Sequence, residues 1–278
     1  MTRVAAIQMT SCADVARNLA SANVLLREAR TKGARIAALP ENFAYMGQSE
    51  ADKIAIAEPP GDGPIQSFLT ATAAELGLWI VAGTVPIRLP EEPRVAAACL
   101  VFDDRGRAVA RYDKIHLFDV DLPGRTESYR ESSSVRPGQD LAVVDTPVGR
   151  LGLAVCYDLR FPELFRQLLS LGADWFCLPS AFTAPTGRAH WEILLRARAI
   201  ENLCHVVAPA QSGFHENGRE THGDSMIVDC WGRVLARLPR GTGTVTAELD
   251  FVRQRDVRQN FPAVHHRRLW PEPGTHKA

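Results

Sequence analysis

Short apolar runs alternate with stretches of helical periodicity along the whole chain, and nothing else in the sequence restricts its fold so strongly. The strand-like runs are Val4–Met9, Ile36–Leu39, Trp79–Val85, Ala97–Phe102, Ala108–Tyr112, Ala142–Asp145, Leu151–Val155, Trp175–Leu178, His205–Ala208, Ser225–Val228, Val234–Leu238 and Val245–Leu249. They end in Pro, Gly or Asp punctuation, as strands bounded by turns do. Between them lie the helical stretches Val15–Lys32, Pro64–Leu76, Pro162–Leu171, Gly187–Cys204 and Phe251–Arg258. The first has Asp14 as a cap, apolar residues at helical spacing (Val15, Leu19, Ala22, Leu25, Leu26, Ala29) and Gly33 as a stop.

Two hairpins break the alternation, at Asp103-Asp104-Arg105-Gly106 and at Asp229-Cys230-Trp231-Gly232. Alternation plus hairpins implies an α/β fold with mixed sheets. No linker, repeat or low-complexity segment interrupts it, so residues 1–278 are expected to form one domain, with a core over about 3–268 and a tail over 269–278. Residues 119–140, rich in Ser, Pro, Gly and charge, are expected as a long loop of the kind that builds sites.

Lys+Arg and Asp+Glu are both 32, and 46% of residues are hydrophobic. That composition supports a large core and points to neither nucleic acid nor an anionic membrane as partner. No apolar run reaches the ~18 residues of a transmembrane helix, and no signal-like segment opens the chain, which leads us to expect the cytoplasm. The cysteines Cys12, Cys99, Cys156, Cys177, Cys204 and Cys230 are scattered with no C-x-x-C pair, so small buried core residues are the default reading for each. Only Lys32, Lys53, Lys114 and Lys277 are lysine; a chain that otherwise uses Arg keeps lysine where a point charge is needed.

Three strand ends carry reactive side chains. Leu151-Gly152-Leu153-Ala154-Val155 leads to Cys156, followed by Tyr157-Asp158-Leu159-Arg160-Phe161 and by Pro162 at the start of a helix. A thiol at such an elbow lies near N–H groups that favour a thiolate, and the next backbone N–H can face a developing oxyanion. Ile36-Ala37-Ala38-Leu39-Pro40 delivers Glu41, which either caps a loop or serves a site as a general base with a pKa raised by burial. Ala108–Tyr112 delivers Lys114, either a solvated partner of Asp113 or a cation for a thiolate and an oxyanion.

Leu39-Pro40-Glu41-Asn42, Tyr112-Asp113-Lys114-Ile115-His116-Leu117-Phe118-Asp119 and Val155-Cys156-Tyr157-Asp158-Leu159-Arg160-Phe161-Pro162-Glu163-Leu164 resemble, in order, the Glu-Lys-Cys motifs of the nitrilase superfamily. The resemblance runs from Val4 to about Arg268 and is nearest to the Nit branch, which contains deaminated glutathione amidases and ω-amidases. Pro179-Ser180-Ala181-Phe182, Thr186-Gly187-Arg188-Ala189-His190-Trp191-Glu192, Arg196-Ala197-Arg198-Ala199-Ile200-Glu201-Asn202 and Val264-His265-His266-Arg267-Arg268 fit that branch.

The resemblance implies a four-layer α-β-β-α sandwich that forms a homodimer or higher homo-oligomer. It implies Cys156 as nucleophile, Glu41 as base, Lys114 and the Tyr157 backbone N–H as oxyanion donors, and Glu131 as a second glutamate, with Glu127 as the competing assignment. It implies a small, acidic amide as substrate, deaminated glutathione-like, hydrolysed through a thioester with release of ammonia. An ω-amidase acting on α-keto acid amides such as α-ketoglutaramate is the alternative; a nitrilase, an N-carbamoyl hydrolase and a non-enzymatic scaffold rank lower. Arg160, Phe182 and Arg188 are candidate substrate contacts, although Arg160 could equally pair with Asp158 or Glu163.

Two departures stand out. Gly223-Asp224-Ser225 replaces the usual Gly-His-Ser, and Cys230 replaces the proline of an Asp-Pro-Trp-Gly turn; the first is expected to alter a subunit contact or a pocket wall. A papain-like pair using His116 or His190 lacks its signature, and His265-His266 lacks the i, i+4 spacing of a helical metal pair, so no metal and no cofactor is expected.

Overall fold

The computed structural model describes residues 3–122 and 127–268. In chain order the first half gives β1 (Arg3–Gln8), α1 (Val15–Thr31), β2 (Ile36–Leu39), a short α2 (Asp52–Ala55), α3 (Pro64–Leu76), β3 (Trp79–Ala82), β4 (Val85–Leu89), β5 (Glu92–Phe102) and β6 (Ala108–Asp113). Then come β7 (Asp119–Asp121), β8 (Ser128–Arg130), a 3-10 turn at Glu131–Ser133, β9 (Val143–Thr146), β10 (Gly149–Leu153), a 3-10 turn at Cys156–Arg160, α4 (Pro162–Ser170) and β11 (Trp175–Cys177). The chain continues with α5 (Ala184–Asn202), β12 (His205–Ala208), β13 (Ser212–Phe214), β14 (Glu220–His222), β15 (Ser225–Val228), β16 (Val234–Leu238), β17 (Gly243–Glu248) and α6 (Phe251–Asn260).

One sheet runs β17-β1-β2-β3-β5-β4, with β6 also paired to β5; the other runs β16-β15-β12-β11-β10-β9. Both are mixed. In the first, β1, β2 and β3 are parallel and β17 is antiparallel to β1; in the second, β10, β11 and β12 are parallel, with β9 and β15 antiparallel at the flanks.

The residue period of two explains why the sheets stack. Along β1 and β2, Val4, Ala6, Ile36 and Ala38 join one core cluster with Leu151, Leu153 and Trp175 of the second sheet. Their neighbours Ala5, Ile7, Ala37 and Leu39 join another with Leu25, Leu26 and Ala29 of α1 and Leu69 and Ala73 of α3. A sheet apolar on both faces must be covered on both. In the second sheet Phe176 meets Phe165 of α4, ring centroids 5.2 Å apart. The layers are therefore α1/α3, sheet, sheet, α4/α5: an α-β-β-α sandwich. Each fully buried Leu or Ile at these contacts contributes roughly 1.5–3 kcal/mol.

Three expectations need correction. The run Trp79–Val85 is two strands, because Gly83 adopts φ +51 between β3 and β4. Residues 119–140 are more than a loop, since β7 and β8 pair as a hairpin. The β13–β14 hairpin has no counterpart among the expected strands. The tail 269–278 lies outside the described residues. Among the described residues no helix is long and apolar enough to cross a membrane.

Candidate active site

Glu41 and Lys114 follow β2 and β6 of the first sheet, and Cys156 follows β10 of the second. All three are buried. They meet with Glu131 in one small cavity. The Lys114 Nζ lies 2.8 Å from Glu41 Oε1 and 2.9 and 2.8 Å from the two oxygens of Glu131. Glu131 also accepts the Phe118 N–H at 2.7 Å. Asp113, the bland partner for Lys114, is taken by Arg111 at 2.7 Å instead. Glu127 accepts from the Tyr129 hydroxyl at 3.1 Å, so Glu131 is the second glutamate at the ammonium.

The strand ends are held from several directions. Gly83 is a necessity here: a Cβ on it would lie 2.0 Å from the Pro40 carbonyl, directly before Glu41. The Gln211 side chain donates to the Glu41 carbonyl at 3.0 Å, and the Asn42 N–H donates to Thr84 Oγ1 at 2.9 Å. Cys156 itself has φ +47, an uncommon conformation for a residue with a Cβ. Its N–H donates to the Pro179 carbonyl (2.9 Å), and the Asp158 N–H to the Val155 carbonyl (3.0 Å).

Asp158, fully buried, ties this elbow to the Lys114 strand. It accepts from Val155 N–H (2.8 Å), Tyr112 Oη–H (2.8 Å) and His116 N–H (3.1 Å), and it contacts His116 Nδ1 (2.7 Å). The His116 ring stacks on Phe161 with centroids 3.7 Å apart. His116 therefore braces the loop and does not approach the thiol as a papain-type base.

Electrostatics reverse two expectations. Burial raises the Glu41 carboxyl, but the Lys114 charge and its hydrogen bond outweigh that and hold it below its ordinary value. Burial first, then the Glu41 carboxylate, pushes the Cys156 thiol up, with Lys114 opposing. Lys114 stays well above its ordinary range, because Glu131 and Glu41 more than offset its desolvation. The resting pair is thus thiol and carboxylate. Ionising the sulfur as well would put three anions around one ammonium, which burial forbids.

Of the expected substrate contacts, Arg160 and Phe182 line the cavity. Arg160 sits 5.7 Å from the Tyr157 ring centroid and 5.4 Å from that of Phe182, and it contacts His190 Nδ1 at 3.1 Å. Its alternative partner Asp158 is engaged elsewhere. Arg188 is a correction: it is exposed on α5 and does not line the cavity, which Thr183 and Thr186 of the same segment do. Helical rotation of ~100° per residue turns it away, while its neighbour Gly187 presses on the His222 ring.

The sequence reading missed Lys53, Glu50 and Arg219, all of which line the cavity. Lys53 Nζ pairs with Glu50 at 2.6 Å. Its signal was present in the scarcity of lysine; Arg219, far along the chain and in no motif, gave none. Asp224 lies behind the cavity. It pairs with Arg237 (Nη2 at 2.8 Å), and its carbonyl accepts from Trp191 Nε1 at 2.8 Å. The Trp191 ring lies 4.9 Å from the Phe182 ring, so the backbone of residue 224, and not its side chain, backs that pocket wall. Cys230 is buried in its hairpin turn, and all six cysteines are free.

The carbon-nitrogen hydrolase family model matches residues 3–259. Deaminated glutathione amidase of Yersinia enterocolitica is 41% identical over 267 residues, covering 96% of this chain and 93% of that protein. The crystal structure of Saccharomyces cerevisiae Nit3, of branch 10 of the nitrilase superfamily, has a TM-score of 0.84 at 28% identity, covering 94% of each chain. An amidase from Nesterenkonia sp. AN1, solved with the product of Michael addition of acrylamide at its active site cysteine, has a TM-score of 0.76 at 25% identity, covering 94% of this chain and 98% of that one.

Proposed function

The chain belongs to the carbon–nitrogen hydrolase family and hydrolyses C–N bonds, and from that premise we propose that Cys156 is its nucleophile and a small acidic amide its substrate. The carrying observation is the convergence of four side chains: Cys156 lines one cavity with Glu41, Lys114 and Glu131, and the Lys114 ammonium donates to both glutamates at 2.8 Å.

Glu41, already ionised, takes the thiol proton as sulfur attacks the amide carbonyl. Protonation weakens its hold on Lys114, which turns an N–H toward the new oxyanion. The second donor is the Tyr157 N–H, because the amides on either side of it are spent on Pro179 and Val155. Glu131 keeps the ammonium in place throughout. Glu41 then protonates the departing nitrogen, leaving a thioester, and next takes a proton from water to hydrolyse it. A primary amide releases ammonia. Where the nitrogen belongs to an amino acid, as in a deaminated tripeptide, the same proton releases that amine.

Arg160, turned to the cavity between two aromatic rings, is our choice for an acyl-side carboxylate. The relatives named deaminated glutathione amidase support that substrate class. Product formation from deaminated glutathione, α-ketoglutaramate, a nitrile and an N-carbamoyl amino acid tests it. Turnover of the first or second, and an acyl adduct by mass spectrometry that disappears in Cys156→Ala, is the expected result. Turnover of neither overturns the reading.

We read residues 1–278 as one domain that acts in the cytoplasm as a homodimer. Ile193 and Ile200 of α5 and the pair Trp231 and Phe261 are exposed apolar side chains, the last two with ring centroids 5.5 Å apart. Gly232 sits against Ile200, so the Trp231 turn and α5 present one surface, suited to a second copy. Sedimentation of the wild type against Trp231→Glu reports on it: loss of the dimer in the variant supports the reading, and a monomeric wild type ends it.

A further inference from the structure

We propose that Arg219 is the residue that holds the carboxylate on the leaving half of the substrate. The proposal rests on the amidase reading above and deepens it.

Arg219 stands where the reactive cavity opens into a wider outer chamber, and it lines both. Its guanidinium is fixed. Nη2 donates to the Ala181 carbonyl, and Cζ lies 5.1 Å from the Tyr129 ring centroid. Its donors are not used up. Nε is buried with no acceptor, and among the described residues no carboxylate forms an ion pair with it. A buried N–H without a partner is costly, so this arrangement is maintained against a penalty that a bound carboxylate relieves. The neighbouring charges are already matched, Lys53 by Glu50 at 2.6 Å and Glu127 by the Tyr129 hydroxyl at 3.1 Å.

The same anchor sets the distance to the chemistry. Cys156, Ala181 and Arg219 line the same reactive cavity, and the Ala181 carbonyl accepts from Arg219. Nucleophile and guanidinium therefore border one small cavity. A substrate whose carbonyl is on sulfur reaches Arg219 with an amino-acid-sized fragment. That fragment is the leaving half, for a kinetic reason. Once the thioester forms, the acyl half is held by sulfur, and the amine must depart before water arrives. The outer chamber, bordered by the exposed Ser49, Phe214 and Gly218, is the way out that does not pass the acyl group.

The test compares two secondary amides of the same α-keto diacid in the full-length enzyme. One has glycine as its amine; the other has ethylamine, which lacks the carboxylate. The wild type is expected to favour the glycine amide at least tenfold in kcat/KM. In Arg219→Met that ratio collapses, through a KM that rises for the glycine amide alone. Arg219→Lys, which keeps the charge without the planar fork, is expected to fall between, and it carries the test if the Met variant does not fold. A wild type with no preference, or an Arg219→Met ratio equal to the parent's, overturns the proposal. A wild type inert toward both amides and toward α-ketoglutaramate overturns the amidase reading itself, and the proposal with it.

Discussion

Asp158→Asn isolates the join between the two halves of the site. The carboxylate serves four groups: Oδ2 takes Val155 N–H and Tyr112 Oη–H, both at 2.8 Å, and Oδ1 takes His116 N–H at 3.1 Å and meets Nδ1 at 2.7 Å. Asparagine has the same shape but one acceptor oxygen. If that oxygen faces His116, the new NH2 faces the Val155 N–H; flipped, it faces the His116 N–H. The tyrosine hydroxyl and the imidazole can exchange roles to suit an amide, but a backbone N–H cannot. Either way one buried donor is orphaned, at about 1–3 kcal/mol, and the surviving bonds lose their charge assistance. We expect a net loss of about 2–4 kcal/mol, read as a lower urea midpoint at unchanged slope. The kcat should fall at least tenfold as well, because Val155 is the residue that sets the entry to Cys156. A midpoint shift worth under about 0.5 kcal/mol, the level of an ordinary surface substitution, together with parental kcat, would refute the account of Asp158 as the tie.

Other outcomes follow from the same geometry. With the Cys156 thiol held up by burial and by Glu41, alkylation by iodoacetamide in the free enzyme should keep accelerating past pH 9, the ordinary thiol value; a plateau below pH 7 would contradict a resting thiol. With Glu41 held below its ordinary 4.5, kcat/KM should stay level through neutrality and fall only as acid protonates the carboxylate. The associated stability has the same sign: it is present above the unfolded-state value and is lost as pH drops through the lowered folded one, so an acid limb centred near pH 6 would contradict the assignment. Gly83→Ala should sharply reduce soluble yield or activity, since its Cβ would meet the Pro40 carbonyl at 2.0 Å in a left-handed backbone; a variant with parental melting point and kcat would count against that contact.

The convergence of Glu41, Lys114 and Cys156 was legible because each follows a strand end, and for Glu41 and Cys156 the strand is an apolar, buried run, which is a local pattern. The Ile36–Leu39 core run and the α1 caps were legible for the same reason, Asp14 accepting from the Arg17 N–H at 3.0 Å. What escaped was set from outside the local sequence. β7 and β8 carry Asp119, Asp121 and Arg130 rather than an apolar alternation, and the hairpin is fastened by Asp121 and Arg130 at 2.8 Å. The break at Gly83 answers to Pro40, remote along the chain. The lowered Glu41 reflects a balance between burial and Lys114, which a sequence does not weigh. Arg219 enters the site only through the β13–β14 hairpin, whose short strands resemble loop.

Glu41 and Lys114 ride on one sheet and Cys156 on the other, so the alignment of the proposed reacting atoms is a property of the seam between the two sheets. An active site is often pictured as a surface feature whose tolerance to mutation can be judged by distance from substrate. In this protein that map is misleading. Side chains deep in the seam, such as Val101, Leu153 and Cys177, set the offset of one sheet on the other. Trimming them leaves every polar contact within each sheet intact while separating Glu41 from Cys156. A selection for inactive variants would then recover substitutions at these interior positions alongside those in the pocket.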